Sequence, residues 1–214
     1  RDLVRSRGLG DVYKRQGYVY GLKVAASLLQ NSNERYALVI GSEQISTRLD
    51  MEDRNTCVLF GDGAGATVIE LKEGTELYSV WGSEGLTDVL GCTGQNMGKA
   101  HIFMDGQKTF KNAVKRMGSA AAEVLEQSGY TMDDIDYVVC HQANERIIDA
   151  VVKRMDIPEE KVVKVIARYG NTSAASIPIA LDEMYEQGML EKGNRILLAT
   201  FGAGFTWASM IVEI

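Results

Sequence analysis

Proline is almost absent: two residues in 214, against 22 glycines, which favours regular elements joined by tight turns. Cysteine is nearly as scarce. Cys57, Cys92 and Cys140 form an odd set with no paired or metal-like spacing, which excludes a disulfide framework and fits a reducing cytoplasm. No apolar run approaches the roughly 18 residues of a membrane span. The first residues do not read as a signal peptide, because Arg and Asp interrupt any apolar stretch. Positive charge is not in excess either. A net charge of −6 argues against a nucleic-acid partner. What is present is ordinary for a globular α/β chain: 45% hydrophobic and 24% charged residues, enough to bury a core as one large domain or two small ones.

The head departs from the rest. Residues 1–16 hold Arg1, Arg5, Arg7, Lys14 and Arg15 against Asp2 and Asp11, a charge of +3 that leaves −9 on the other 198. No helical or strand period runs through it. The segment reads as a translated sequencing-adapter or assembly scar and is set apart from the fold. The alternative is a basic arm for an acidic partner.

From Gly17 onward the pattern is regular. Val19, Leu22, Val24, Ala25 and Leu28 predict a helix over 17–29. Tyr36–Ile40 predicts a strand buried on both faces, and 56–60 a second strand. Gly61-Asp62-Gly63-Ala64-Gly65 resembles a phosphate cradle, but Thr67–Leu71 after it is strand-like. A phosphate site needs a helix start there, so the glycines are assigned to a tight turn between strands. Residues 72–103 read as an irregular connection. Helices are predicted over 109–125, 144–155 and 173–187, the last with Thr172 or Ser173 as N-cap. Strands are predicted over 135–140, 195–201 and 207–214. The alternation predicts an α/β class with a buried, mixed sheet.

Three segments place chemistry at strand ends. His141 follows a strand and precedes a helix, where open α/β sheets bind ligands. Its imidazole suits acid–base work or a hydrogen bond to substrate, and equally a cap on the helix. Asn171 lies between Gly170 and a helix start, as a neutral donor to an oxyanion or as a turn former. Gly202-Ala203-Gly204 brings backbone N–H groups close to a substrate, or makes a plain hairpin. Cys140 precedes His141, and neighbours on an extended chain face oppositely. It is therefore expected to point away from the site as a buried thiol. His101 reads as a loop residue.

In this order and spacing the motifs resemble β-ketoacyl-[acyl-carrier-protein] synthase III. The resemblance runs from Gly17 to Ile214 through Gly17-Tyr-Val-Tyr-Gly21, Phe60-Gly-Asp-Gly-Ala-Gly65, Met104-Asp-Gly106, His141-Gln-Ala-Asn144, Gly170-Asn-Thr-Ser-Ala-Ala-Ser176 and Phe201 to Trp207. It implies a thiolase-like α-β-α-β-α sandwich of two equivalent halves. Residues 17–77 would be a partial first half and 78–214 a complete second half. It implies a homodimer that uses acyl-CoA and malonyl-acyl carrier protein, without a cofactor or metal. His141 and Asn171 would hold the malonyl thioester oxygen, and Ala203 N–H would complete the oxyanion hole. Phe201, Gly202, Gly204 and Phe205 would line the pocket. Asn144 and Arg54 would touch coenzyme A, and Lys111, Arg146, Lys153 and Arg154 the acidic carrier protein. Spacings of seven and eight put Arg146, Lys153 and Arg154 on one helix face, which otherwise reads as a solvated surface.

One departure bears on activity. The family nucleophile lies in Ala-Cys-x-Gly, two residues before the glycine matching Gly17, and Arg15 stands there. Arginine cannot carry an acyl group, so condensation by this chain as written is not expected. A thiolase-fold acyltransferase for polyketide or other acyl thioesters, and an inactive dimerisation or carrier-binding module, are the alternative readings.

Overall fold

Apolar periodicity becomes layers in the computed structural model, which describes residues 17–72, 74, 76–92 and 101–214. The expectations for residues 1–16, Arg15 included, lie outside the described residues. Helix α1 (Gly17–Gln30) leads into β1 (Tyr36–Glu43), which pairs antiparallel with β2 (Gly63–Glu70). Strand β3 (Ser79–Ser83) joins a mixed sheet, while β4 (Leu90–Cys92) and β5 (Ile102–Met104) form a small ribbon. Helix α2 (Gly106–Ser128) is capped by the Asp105 carboxylate, which accepts from Lys108 N at 3.0 Å, and ends at left-handed Gly129. Then follow β6 (Tyr137–Cys140), α3 (Glu145–Met155), α4 (Ile166–Tyr169), α5 (Ser176–Glu186), β7 (Arg195–Gly202) and β8 (Thr206–Glu213).

The main sheet has the order β3-β8-β7-β6, with β6 and β7 parallel and the other pairs antiparallel. Alternate residues of β7 serve opposite layers. Leu197, Ala199 and Phe201 join Met117, Val124, Ile148 and Val151 of α2 and α3, whereas Ile196 and Leu198 join Leu22 of α1 and Ile177 and Met184 of α5. The β1–β2 sheet covers the far side of α1 and α5. The described residues thus stack as α-β-α-β.

Several sequence expectations change. Strand β1 is not buried on both faces: Leu38 is 59% exposed, Ile40 61% and their neighbour Val68 65%. Only the Val39–Gly41 face meets helices, so the fifth layer of the sandwich is absent among the described residues. Residues 56–60 are not a strand but a 3₁₀ turn over Cys57–Leu59, because among the described residues Phe60 alone bridges to another segment, at Asn171. The glycine cluster is not a turn between strands. Gly63 and Gly65 lie within β2, where a Cβ would come within 2.8 Å of Ile179 and 2.9 Å of Pro178. These glycines let the strand approach α5 closely. The 72–103 connection contains β3, β4 and the start of β5. Neither Thr172 nor Ser173 caps a helix with its side chain.

Candidate active site

His141 leaves the C-terminal end of β6 with its backbone still on the ladder: its N–H donates to Ala199 O of β7 at 2.8 Å. The preceding Cys140 packs with the α2–α3 layer. His141 instead meets α5, where Nδ1 lies 2.7 Å from Ser176 Oγ. Phe201, at the end of β7, contacts the imidazole edge-on at 5.6 Å between centroids, and Phe205 stacks on Phe201 at 5.5 Å. All of these side chains are buried. Burial pushes the Cys140 thiol up to about 12, so it is a packing residue and not a thiolate.

Asn171 is fixed from both ends. Its N–H donates to Leu59 O at 2.9 Å, and its carbonyl accepts from Gly61 N at 3.1 Å. Gly170 supplies the positive φ of +65° that turns the chain from α4 into this bridge. The side chain is oriented too. Oδ1 accepts from Ser173 N at 3.0 Å, and Nδ2 donates to Ala143 O at 3.3 Å, two residues beyond His141. The carboxamide is thereby directed with its NH₂ toward the histidine segment.

Ala203 lies in the turn between β7 and β8. Its carbonyl accepts from Thr206 Oγ1 at 3.1 Å. Leu86 N and Glu84 N donate to the carbonyls of Gly204 and Phe205 at 2.9 and 2.7 Å. Gly204, at φ +135°, takes a conformation closed to other residues. Ala203 itself is not among the positive-φ residues, so alanine is unstrained there. A small cavity lined by Ala203, Ser173, Ile45, Phe60, Leu90, Gly91, Cys92 and Ile102 joins this turn to the asparagine turn.

The outlying residues are placed as follows. Asn144 is the N-cap of α3, its Oδ1 accepting from Arg146 N at 2.9 Å. Arg54 is exposed in the loop after Arg48, whose turns are closed by Asp50 and Asp53. Arg146, Lys153, Arg154 and Lys111 are exposed, and none pairs with a carboxylate among the described residues. The Arg154 stem crosses α2 over Gly118, 3.0 Å from where a Cβ would be. Lys111 lies two turns from Gly118 on that same face of α2. His101 is half-buried beside β5.

Two residues escaped the sequence reading. Ser176 occupies the buried stripe of α5, one turn before Ala180. Buried Gln142 bonds four backbone groups: Nε2 donates to Cys140 O at 2.8 Å and Val163 O at 3.2 Å, while Oε1 accepts from Val165 N and Ile166 N at 2.9 and 3.1 Å. It ties the histidine strand to the segment that leads to Asn171. A polar residue inside an otherwise apolar helix stripe, and a glutamine two residues past the end of a strand, were the available signals.

The arrangement is three kinds of hydrogen-bond group (imidazole, carboxamide and a glycine-flanked amide turn) at the ends of β6 and β7, walled by two aromatic rings. Such a set suits the stabilisation of charge on a carbonyl oxygen. Among the described residues, no helix is long and apolar enough to cross a membrane, and no group of three His, Cys, Asp or Glu residues could hold a metal.

Comparison with known proteins bears on the family and the fold. The family profile "3-Oxoacyl-[acyl-carrier-protein (ACP)] synthase III C terminal" matches residues 125–214, and "3-Oxoacyl-[acyl-carrier-protein (ACP)] synthase III" matches residues 14–85. A curated beta-ketoacyl-[acyl-carrier-protein] synthase III from Caldanaerobacter subterraneus subsp. tengcongensis is 46% identical, with 92% of this chain aligned to 64% of that protein. The crystal structure of 3-oxoacyl-[acyl-carrier-protein] synthase III from Aquifex aeolicus VF5 superposes with a TM-score of 0.87 at 41% identity, over 94% of this chain and 65% of that one. A priming beta-ketosynthase from the R1128 polyketide biosynthetic pathway superposes with a TM-score of 0.86 at 34% identity, over 94% and 64%. The chain therefore spans slightly under two thirds of the length of these relatives.

Proposed function

We infer function from one premise: this chain belongs to the 3-oxoacyl-[acyl-carrier-protein] synthase III family and has its thiolase-like α/β fold. The family is one of condensing acyltransferases of fatty acid biosynthesis. The reading that follows is that the protein takes part in decarboxylative condensation of an acyl-CoA primer with malonyl-acyl carrier protein, and that this chain supplies the half of the site that stabilises the enolate.

In that reaction the malonyl carboxylate leaves as carbon dioxide, and the electrons of the broken C–C bond pass into the thioester as an enolate. The charge collects on the thioester oxygen. Imidazole N–H of His141 and Nδ2–H of Asn171 are the donors for it. The enolate carbon then attacks an acyl group carried as a thioester on a cysteine. A C–C bond forms, the C–S bond breaks, and the thiolate departs. Ala203 N–H receives the oxyanion formed during that attack. The proton and electron accounts close without a redox group or Lewis acid, so no cofactor or metal is invoked. Phe201 and Phe205 exclude water around the charge, which strengthens each hydrogen bond.

The observation that carries this reading is the orientation of Asn171: Oδ1 is consumed by Ser173 N, so only donor hydrogens face the histidine segment. The basic residues Lys111, Arg146, Lys153 and Arg154 are assigned to an acidic carrier protein, and Asn144 and Arg54 to the coenzyme A arm. A cytoplasmic homodimer, with residues 17–77 and 78–214 as the unequal halves of each chain, completes the proposal. The polyketide-priming alternative draws on the R1128 resemblance and differs only in the acyl group transferred.

The test is to sequence the source DNA upstream of the Gly17 codon, then assay a protein in which Ala-Cys-x-Gly runs into Gly17. Condensation of acetyl-CoA with malonyl-carrier protein by that protein, and not by the 214-residue chain, is expected. A genome that encodes Lys14-Arg15-Gln16 at this place overturns the condensing reading and leaves the carrier-binding module.

A further inference from the structure

Ser176 is buried at the first position of α5, and its hydroxyl has two polar neighbours among the described residues. One is Gln142 N at 3.3 Å, the other His141 Nδ1 at 2.7 Å. A backbone N–H can only donate, so Gln142 takes one of the hydroxyl lone pairs. The hydroxyl proton still needs an acceptor, because buried polar hydrogens are almost always bonded. Nδ1 is the acceptor in reach. An imidazole that accepts at Nδ1 in its neutral form carries its proton on Nε2. We propose that Ser176 is a positioning residue that fixes His141 as the Nε2–H tautomer and sets its ring orientation.

The chain of causes is short. Gln142 cannot move without losing its four backbone bonds, so its N–H holds the Ser176 oxygen in place. The oxygen points its proton at Nδ1. The imidazole then presents a hydrogen at its other end and can donate to a thioester oxygen. The opposite tautomer would present a lone pair to the developing negative charge and repel it. That role rests on the enolate reading above, whereas the tautomer assignment does not.

The chain contains two histidines, His101 and His141, so a chain labelled with ¹⁵N-histidine gives at most two imidazole patterns. A His101→Gln variant assigns them. In the parent, the long-range ¹H–¹⁵N spectrum is expected to show neutral His141 protonated on Nε2, and protonation on Nδ1 overturns the proposal without need of any variant. In Ser176→Ala the His141 pattern shifts to a mixture of tautomers while the backbone amides of β7 and β8 stay in place. An unchanged pattern there overturns the proposal. Ser176→Thr, which keeps a hydroxyl, is expected to restore the parent tautomer. A malonyl-pantetheine amide added to the parent is then expected to move the Nε2–H signal. If the tautomer is as proposed and the amide moves nothing, the enolate reading fails and the positioning inference stands.

Discussion

A carboxamide that closes a turn and, in the proposed reaction, also donates to the thioester oxygen cannot be replaced cheaply. Asn171→Ala removes the acceptor for Ser173 N as well as the donor, and Asn171→Asp keeps the acceptor while reversing the electrostatics at the donor. In a protein with a complete N-terminal part, both changes are expected to slow malonyl decarboxylation by about 10²–10³-fold, with Asp retaining more stability than Ala. Carbon dioxide release and a denaturant midpoint separate the two effects. Cys140 offers a second test. Its thiol is pushed from 9.0 to about 12 by burial, so it stays protonated in the folded chain while the unfolded chain ionises. A raised acid pKa means that this stabilisation is complete below 9.0 and drains away as pH rises toward about 12. Cys140→Ala is therefore expected to flatten the alkaline loss of stability, followed by circular dichroism. Alkylation under mildly alkaline, native conditions should leave Cys140 unmodified.

Elements with a strong period were legible in the sequence, and elements defined by a partner were not. Helices α2, α3 and α5 follow from their apolar stripes, and β6, β7 and β8 from continuous apolar runs. Strand β1 has the same apolar run, yet one face is bare, because burial depends on a layer that the local sequence does not contain. Residues 56–60 carry apolar side chains but coil as a 3₁₀ turn, since their pairing is one bridge to Asn171. The site shows the same split. His141, Asn171 and Ala203 gained meaning only as a set and through resemblance, while Gln142 and Ser176 act through bonds to segments 21 to 35 residues away. The glycines of β2 and its approach were read as a turn, though their purpose is contact. A Cβ on Gly61 would sit 2.3 Å from Tyr169 O. Gly61→Ala is expected to cost about 1–3 kcal/mol by overpacking and to displace Asn171, lowering activity in step. Urea unfolding together with the decarboxylation assay checks both.

At the scale of the molecule, charge and apolar surface are distributed unequally. Arg146, Lys153 and Arg154 form a basic face on an acidic chain, with no carboxylate partner among the described residues. Reversing Arg146 and Lys153 to Glu is expected to slow carrier-protein association on the order of tenfold at low salt, with the difference shrinking as salt is added. Stopped-flow binding measures it. The opposite end carries Leu38, Ile40 and Val68 on the uncovered face of β1 and β2. Self-association of the 214-residue chain is expected there, and Leu38→Lys with Ile40→Lys should keep it monomeric in size-exclusion chromatography. That unevenness reaches the site itself. The His141 amide is held by the parallel β6–β7 ladder of the four-stranded main sheet, whereas the Asn171 backbone hangs on residues 59–61, next to a two-stranded sheet with one side open. Local opening starts where few apolar contacts oppose it. On warming, the amides of Gly61 and Asn171 would exchange with deuterated solvent well before those of β6 and β7. The asparagine would let go while the histidine still stood in its strand, and the proposed pair of donors would come apart at a temperature where the spectrum still looked native.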